Sequence, residues 1–421
     1  MLFRTAFCAG LAALAAALLS PPPSEETIVP GLAARATSFK CPVYPNEPPA
    51  QTCTDRDIFW DNRSVSGKSV TFYFTPNDPV ISAASAANRT AARELIEGAM
   101  NRALDYYQNW AVGLKIYFGV VGKLEKVSGK TLSATTGSPP KVTHCDILMV
   151  YPDSTTNPIM RLRMLKVVAH ELYHCIQFGA NIAGMPSEAD NGEWWSEGSA
   201  RYFDGVLYPP PPSGAPTSLL DMSKFAEEYN PRRSLVQQEY EAALYYHYLQ
   251  QVGVSPGAIN AWVLAKTARR TAADDMRDAA RTPLLADHWH GFAEAFVDNR
   301  INYTASNPIR LTNPLPNPPG TIAVPALSVG SSWSSGPVAV DAFMFNQTRF
   351  AFPTQTDHRV TLPKGTGFKC SFRQAGATVW KGAGDVSFTV KNSRTARLLV
   401  DILCSCNGAV ACSGSITVAR I

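Results

Sequence analysis

Val167-Val168-Ala169-His170-Glu171-Leu172-Tyr173-His174 is the most informative stretch of the 421-residue chain. Two histidines four residues apart lie on one face of a helix, one turn from each other. That spacing lets both imidazoles reach one tetrahedral zinc ion at about 2.0–2.1 Å. Glu171 sits beside the first histidine and need not bind metal itself, which leaves it free to take a proton from a metal-activated water. Val167, Val168 and Leu172 are apolar and bury the helix, holding the ligands rigidly. The chain has seven histidines, and an H-E-x-x-H arises in such a chain by chance only about 0.005 times. The bland alternative is a buried helix whose histidines hydrogen-bond elsewhere.

Around this helix the pattern is regular. Ser69–Thr75 alternates as a strand, Ala86–Trp110 has helical periodicity, and Leu114–Val121, Leu132–Thr136 and Cys145–Tyr151 read as strands. The motif helix runs Ile159–Phe178 and is closed by Gly179. The order predicts an α/β layer with a mixed sheet. After Gly192 the signal is helical, over Glu193–Asp204, Leu219–Glu228, Ser234–Val252, Ala258–Ala273 and Asp287–Tyr303, with Pro209–Pro212 as a stiff loop. The Pro-rich run over 313–320 marks a linker. Beyond it, short alternating runs from Val338 to Val418 predict an all-β sandwich over 321–421. The class is therefore α+β: a mixed sheet with a zinc helix, a helical subdomain (together 67–312), then the sandwich. Residues 21–66 read as Pro-rich and irregular.

A catalytic zinc needs a third protein ligand and one open position. Downstream lies Glu193-Trp194-Trp195-Ser196-Glu197-Gly198-Ser199-Ala200. H-E-x-x-H followed by W-x-x-E-G-x-A resembles the gluzincin metallopeptidases, the superfamily that contains thermolysin-like enzymes and zinc aminopeptidases. The resemblance implies a zincin-like catalytic domain in which His170, His174 and Glu197 hold zinc and Glu171 is the general base. Glu193 is the rival third ligand. It follows His174 after 18 residues, against 22 for Glu197, and shares its helix face. The Trp and Gly context favours Glu197, with Gly198 expected to let its helix pack close to the zinc helix. Trp194 and Trp195 read as core.

Tyr240 begins a segment, Tyr240–Leu249, that resembles the helix of aminopeptidase-like gluzincins opening on a transition-state tyrosine. There x-Lys-Gly follows; here the matching positions are Ala242-Ala243. On this resemblance Tyr240 donates to the oxyanion, beside the plain reading of an amphipathic-helix tyrosine; Tyr246 and His247 are lesser candidates. Gly98-Ala99-Met100-Asn101 lacks the glutamate of the exopeptidase motif G-x-M-E-N and sits in a helix. His288-Trp289-His290 points its histidines in different directions, as packing or surface residues.

Hydrophobic residues make up 45% and charged residues 17% of the chain, and the net charge is +4. This composition supports a sizeable core, argues against wholesale disorder, and gives no case for a nucleic-acid partner. Beyond the N-terminus no apolar run reaches the roughly 18 residues of a membrane span. Met1–Ser20 has one positive charge, an apolar stretch and small residues, as expected of a cleaved secretory signal rather than an anchor; Ala34-Arg35-Ala36 is a possible later processing point. Removing Cys8 with the signal leaves an even set of cysteines, which favours disulfides in an exported chain. Cys41 with Cys53, Cys145 with Cys175, and two bridges among Cys370, Cys404, Cys406 and Cys412 are the expected pairings, none of them fixed by sequence. Sequons at Asn62, Asn88, Asn302 and Asn346 permit glycosylation, about three being expected by chance.

These readings converge on a secreted zinc metallopeptidase acting on peptides or proteins, with an accessory C-terminal domain and Leu132–Thr136 as a sheet edge for substrate. The rival class is an exported adhesion or glycan-binding protein whose zinc site is structural or degenerate.

Overall fold

The computed structural model describes residues 57–65, 68–74, 79–107, 115–121, 129–136, 141–152, 154–181, 193–209, 228–266, 271–304, 307–311, 315, 320–382 and 387–421. The expected signal region, Cys41 and Cys53, all but the last residue of the helix expected over Leu219–Glu228, and most of the linker expected over 313–320 lie outside these residues.

Five strands build the sheet that carries the site: β1 (Asp57–Val65), β2 (Lys68–Phe74), β3 (Lys115–Val121), β4 (Gly129–Thr136) and β5 (Lys141–Val150). Their order is β1-β2-β3-β5-β4. The three central strands are parallel, and β1 and β4 are antiparallel edges. This is a mixed sheet with helices packed on it. β1 lies in the stretch read as irregular. Its register with β2 slips twice, between Ile58 and Trp60 and between Trp60 and Arg63, which breaks the strict alternation a sequence pattern relies on.

Helices α1 (Pro79–Ala83) and α2 (Ala86–Tyr107) precede β3. The motif helix, α3, spans Pro158–Asn181. Asn157 caps it, its side-chain oxygen accepting from the amide of Ile159 at 2.9 Å, and Pro158 occupies the first turn, where no amide is needed. Val168, Ala169, Leu172, Tyr173 and Ile176 are buried, so this stripe docks α3 against the core. Gly179 lies inside the helix, not at its end; one glycine costs only about 1 kcal/mol and a packed helix runs through it. A disulfide from Cys145 on β5 to Cys175 staples the helix to the sheet.

α4 spans Glu193–Leu207. The single helix expected over Ser234–Val252 is instead three pieces: 3-10 turns at Leu235–Gln237 and Tyr240–Ala242, then α5 (Ala243–Gln251). Gln238 is extended and Glu239 sits at φ −117°, ψ −111°, so the chain breaks before Tyr240. The run over Ala258–Ala273 likewise divides, into α6 (Pro256–Leu264) and α7 (Ala272–Arg281). α8 (Pro283–Ala286) and α9 (Trp289–Val297) follow. The helix expected to reach Tyr303 stops at Val297, and Asn302–Thr304 is a short strand, β6, paired with β7 (Asn307–Pro308).

The C-terminal strands form two four-stranded sheets. One contains β8 (Thr321–Ala323), β10 (Met344–Phe352), β12 (Phe368–Gln374) and β14 (Leu398–Cys406); the other contains β9 (Ser332–Val340), β11 (Thr356–Thr361), β13 (Ser387–Asn392) and β15 (Cys412–Arg420). Phe350, Phe352, Val360, Ile402 and Val418 fill the space between them. Cys370–Cys404 and Cys406–Cys412 are bridged. Asp55–Ile421 forms one compact unit, because α9 plugs into the sandwich: Trp289 and Phe292 pack on Phe345, and the indole of Trp289 donates to the carbonyl of Met344 at 3.2 Å. His290 is buried within hydrogen-bond distance of Ser405 and Ser371, a packing role. No helix among the described residues is long and apolar enough to cross a membrane.

Candidate metal centre

α3 and α4 cross so that His170, His174 and Glu197 meet. His170 Nε2 lies 3.0 Å from Glu197 Oε2 and 3.0 Å from His174 Nε2, and His174 Nε2 lies 3.2 Å from the same oxygen. Among the described residues this is the group that can hold a metal ion. Glu193, one turn earlier on α4, is not part of it.

The far nitrogens explain why the near ones converge. His174 Nδ1–H donates to Gln177 Oε1 at 2.7 Å, three residues along α3. The amide of Gln177 donates in turn to the carbonyl of Ser196 at 3.1 Å and to Ser199 Oγ at 3.0 Å, tying α3 to α4. His170 Nδ1 faces Asp204 Oδ2 at 3.6 Å. With protons held on both Nδ1 atoms, each Nε2 presents its lone pair to the common point.

Three lone-pair donors at this separation repel unless protons or a cation lie between them. Burial opposes charging of His170, yet Asp204, Glu197 and Glu171 push its pKa up to about 10. Burial likewise opposes ionisation of Glu197, but His174 and His170 hold it well below the usual carboxylate range. A divalent cation satisfies the same lone pairs, and the separations of 3.0–3.2 Å approach the ~3.3 Å ligand–ligand edge of a tetrahedron with bonds of about 2.0–2.1 Å. The donor set and its outward hydrogen bonds fit such an ion.

Behind His170 is a buried charge cluster. Asp204 accepts from Arg201 at 3.0 and 3.1 Å, and Lys166 Nζ approaches it to 3.7 Å. Burial favours the neutral acid, but Arg201 and Lys166 keep its pKa below the ordinary value. None of these supports was singled out in the sequence. Their spacing was available: Lys166 is one turn before His170, Gln177 three residues after His174, and Asp204 two turns after Glu197.

Glu171 is buried to 7% exposure and is not in the metal group. Its Oε2 accepts from the hydroxyl of Thr131 on β4 at 2.6 Å. Tyr240 stands on the 3-10 turn, its ring stacked on His170 at 5.8 Å between centroids and 29° between planes. Burial and the carboxylates of Glu197 and Glu171 push the phenol pKa up, so it stays a proton donor. Gly198 has a different role from the one expected. A Cβ there would stand 2.7 Å from Ala242 Cβ and 3.0 Å from the Glu239 carbonyl, so the close approach it permits is to the turn bearing Tyr240. Trp194 and Trp195 are core residues. Tyr246 donates to the Trp194 carbonyl at 3.3 Å, and His247 is buried against Tyr202 and Tyr303; neither reaches the metal group.

No family model and no curated protein matches the chain. Among solved structures it is similar to PliG of Aeromonas hydrophila, a periplasmic lysozyme inhibitor of g-type lysozyme, at 12% identity and a TM-score of 0.19, over 24% of this chain and 96% of that one. PliG of Salmonella Typhimurium aligns at 10% identity and a TM-score of 0.18, over 24% of this chain and 98% of that one. Likeness at this level carries no argument about the present site.

Proposed function

We propose that the chain is a secreted zinc metallopeptidase of the gluzincin type, with a zincin-like catalytic domain. The observation that carries the reading is the convergence of His170, His174 and Glu197 with Glu171 held beside them but outside the donor set. A purely structural zinc site is closed by four ligands and has no use for a fixed, non-ligating carboxylate. This favours an enzyme over an adhesion protein with a structural metal.

Zinc, when bound by these residues, lowers the pKa of a water toward neutrality and polarises a carbonyl. Glu171 accepts the proton of the attacking water and delivers it to the leaving amine. Tyr240, protonated, donates to the oxyanion of the tetrahedral intermediate. Asp204 and Gln177 keep both imidazoles in the metal-binding tautomer. Strand β4, outermost in the sheet among the described residues, is the strand along which an extended peptide would pair. The buried disulfides fit an oxidising compartment.

The test is metal analysis with a peptide-library digest of wild type, Glu171→Ala, Glu193→Ala and Glu197→Ala. The expected result is one zinc per chain and cleavage by wild type, zinc without cleavage in Glu171→Ala, and loss of zinc in Glu197→Ala only. A wild type that holds zinc and cleaves nothing in a diverse library ends the reading.

A further inference from the structure

Resting on that reading, we propose that Thr131 is a positioning residue for the general base: an edge-strand hydroxyl selects the working conformation of Glu171. Thr131 Oγ1 lies 2.6 Å from Glu171 Oε2 and 3.0 Å from the backbone carbonyl of the same residue. The shorter contact is a hydroxyl-to-carboxylate hydrogen bond, the charge-assisted kind. A glutamate side chain has rotamer freedom worth up to about 2 kcal/mol, and an unheld base spends much of its time aimed elsewhere. The bond selects one arrangement of the carboxylate.

The two partners sit on elements that cannot drift apart. Thr131 pairs in register with Ile147 of β5. β5 is in turn joined to α3 by the Cys145–Cys175 bridge, four residues from Glu171. The hydroxyl is therefore fixed relative to the helix that carries the base. Because β4 is also the outermost strand of the sheet among the described residues, a peptide pairing there touches the same strand that holds Glu171. Substrate docking and base alignment then share one element.

A plain structural role is the alternative, with the hydroxyl merely tying β4 to α3 through the backbone carbonyl. The experiment compares Thr131→Val, which keeps the shape, with Thr131→Ser, which keeps the hydroxyl. In the zinc-loaded protein Thr131→Val is expected to lower kcat about ten- to a hundredfold, with KM within about twofold. Zinc content stays unchanged, and Thr131→Ser recovers most of the rate. The second readout needs neither metal nor activity. In metal-free protein Thr131→Val lowers the melting temperature in the wild-type background and has no further effect in Glu171→Ala, because the carboxylate it served is gone. An equal drop in both backgrounds assigns the contact to the backbone carbonyl and overturns the proposal. So does a wild-type kcat in Thr131→Val while the parent cleaves normally, which leaves the peptidase reading standing. A parent that cleaves nothing overturns both.

Discussion

His174 and Gln177 are joined by a 2.7 Å hydrogen bond in which the imidazole Nδ1–H donates and the amide oxygen accepts. Gln177 is itself held by Ser196 and Ser199 of the helix that supplies Glu197. One amide therefore sets the tautomer of the His174 imidazole and ties it to the helix that carries Glu197. Gln177→Ala is expected to weaken zinc binding about 10- to 100-fold while leaving the stoichiometry at saturation unchanged. Competition with a chelator of known affinity reads this directly; an unchanged Kd would show that the tautomer needs no support.

Asp204 is the shared partner of two buried cations, Lys166 and Arg201, and of His170. Asp204→Asn keeps the shape and removes the charge. Breaking a buried ion pair from one side costs about 3–5 kcal/mol, so the variant is expected to lose that much stability in urea unfolding of the metal-free protein. Zinc affinity falls with it. A loss below about 1 kcal/mol would mean that Lys166 and Arg201 reach water without the carboxylate.

Gly198→Ala places a methyl group 2.7 Å from Ala242 Cβ and 3.0 Å from the Glu239 carbonyl. Neither neighbour is the end of a flexible chain, so the turn bearing Tyr240 must shift. The expected cost is about 1–3 kcal/mol. The cleavage rate should drop while zinc content is retained, since the methyl meets the turn and not the ligands. Thermal melting with metal analysis separates the two effects.

His247 is buried, and burial together with Lys166 and Arg201 lowers its pKa from 6.5 to about 3. Well above pH 6.5 the residue is neutral in folded and unfolded chains alike and contributes no pH dependence. Below that, the unfolded chain takes up a proton that the folded one refuses, so stability falls by about 1.4 kcal/mol per pH unit from this residue, levelling off near pH 3. Urea unfolding at stepped pH should give a shallower acid slope for His247→Leu than for wild type. Equal slopes would show that the imidazole is protonated in place.

The histidine pair was legible because a helix repeats every 3.6 residues, and residues i and i+4 have no choice but to share a face. Glu197 was legible through its Trp and Gly neighbours, and its carboxylate stands among the imidazoles. The alternating runs from Val338 to Val418 fall on strands of the two C-terminal sheets, whereas β8 (Thr321–Ala323) carried no such run and the run Val338–Phe345 spans the turn between β9 and β10. What was hidden had a local cause. Ser234–Val252 has unbroken apolar spacing, yet Glu239 takes a backbone conformation no helix allows, and periodicity does not register a single dihedral. β1 was missed because two register slips spoil its alternation. Thr131 carries no signal at all: its partner is 40 residues away, and only the crossing of β4 over α3 brings them together.

The Cys145–Cys175 bridge also bears on how the proposed site would take up its metal. Cys175 directly follows His174, so in the nascent, reduced chain a thiolate competes with imidazole and carboxylate for any soft or borderline ion that arrives early. Closing the bridge removes that competitor and ties the helix to β5. On the proposed reading, a chain whose bridge closes before zinc arrives offers the ion the two imidazoles and the carboxylate without a neighbouring thiolate.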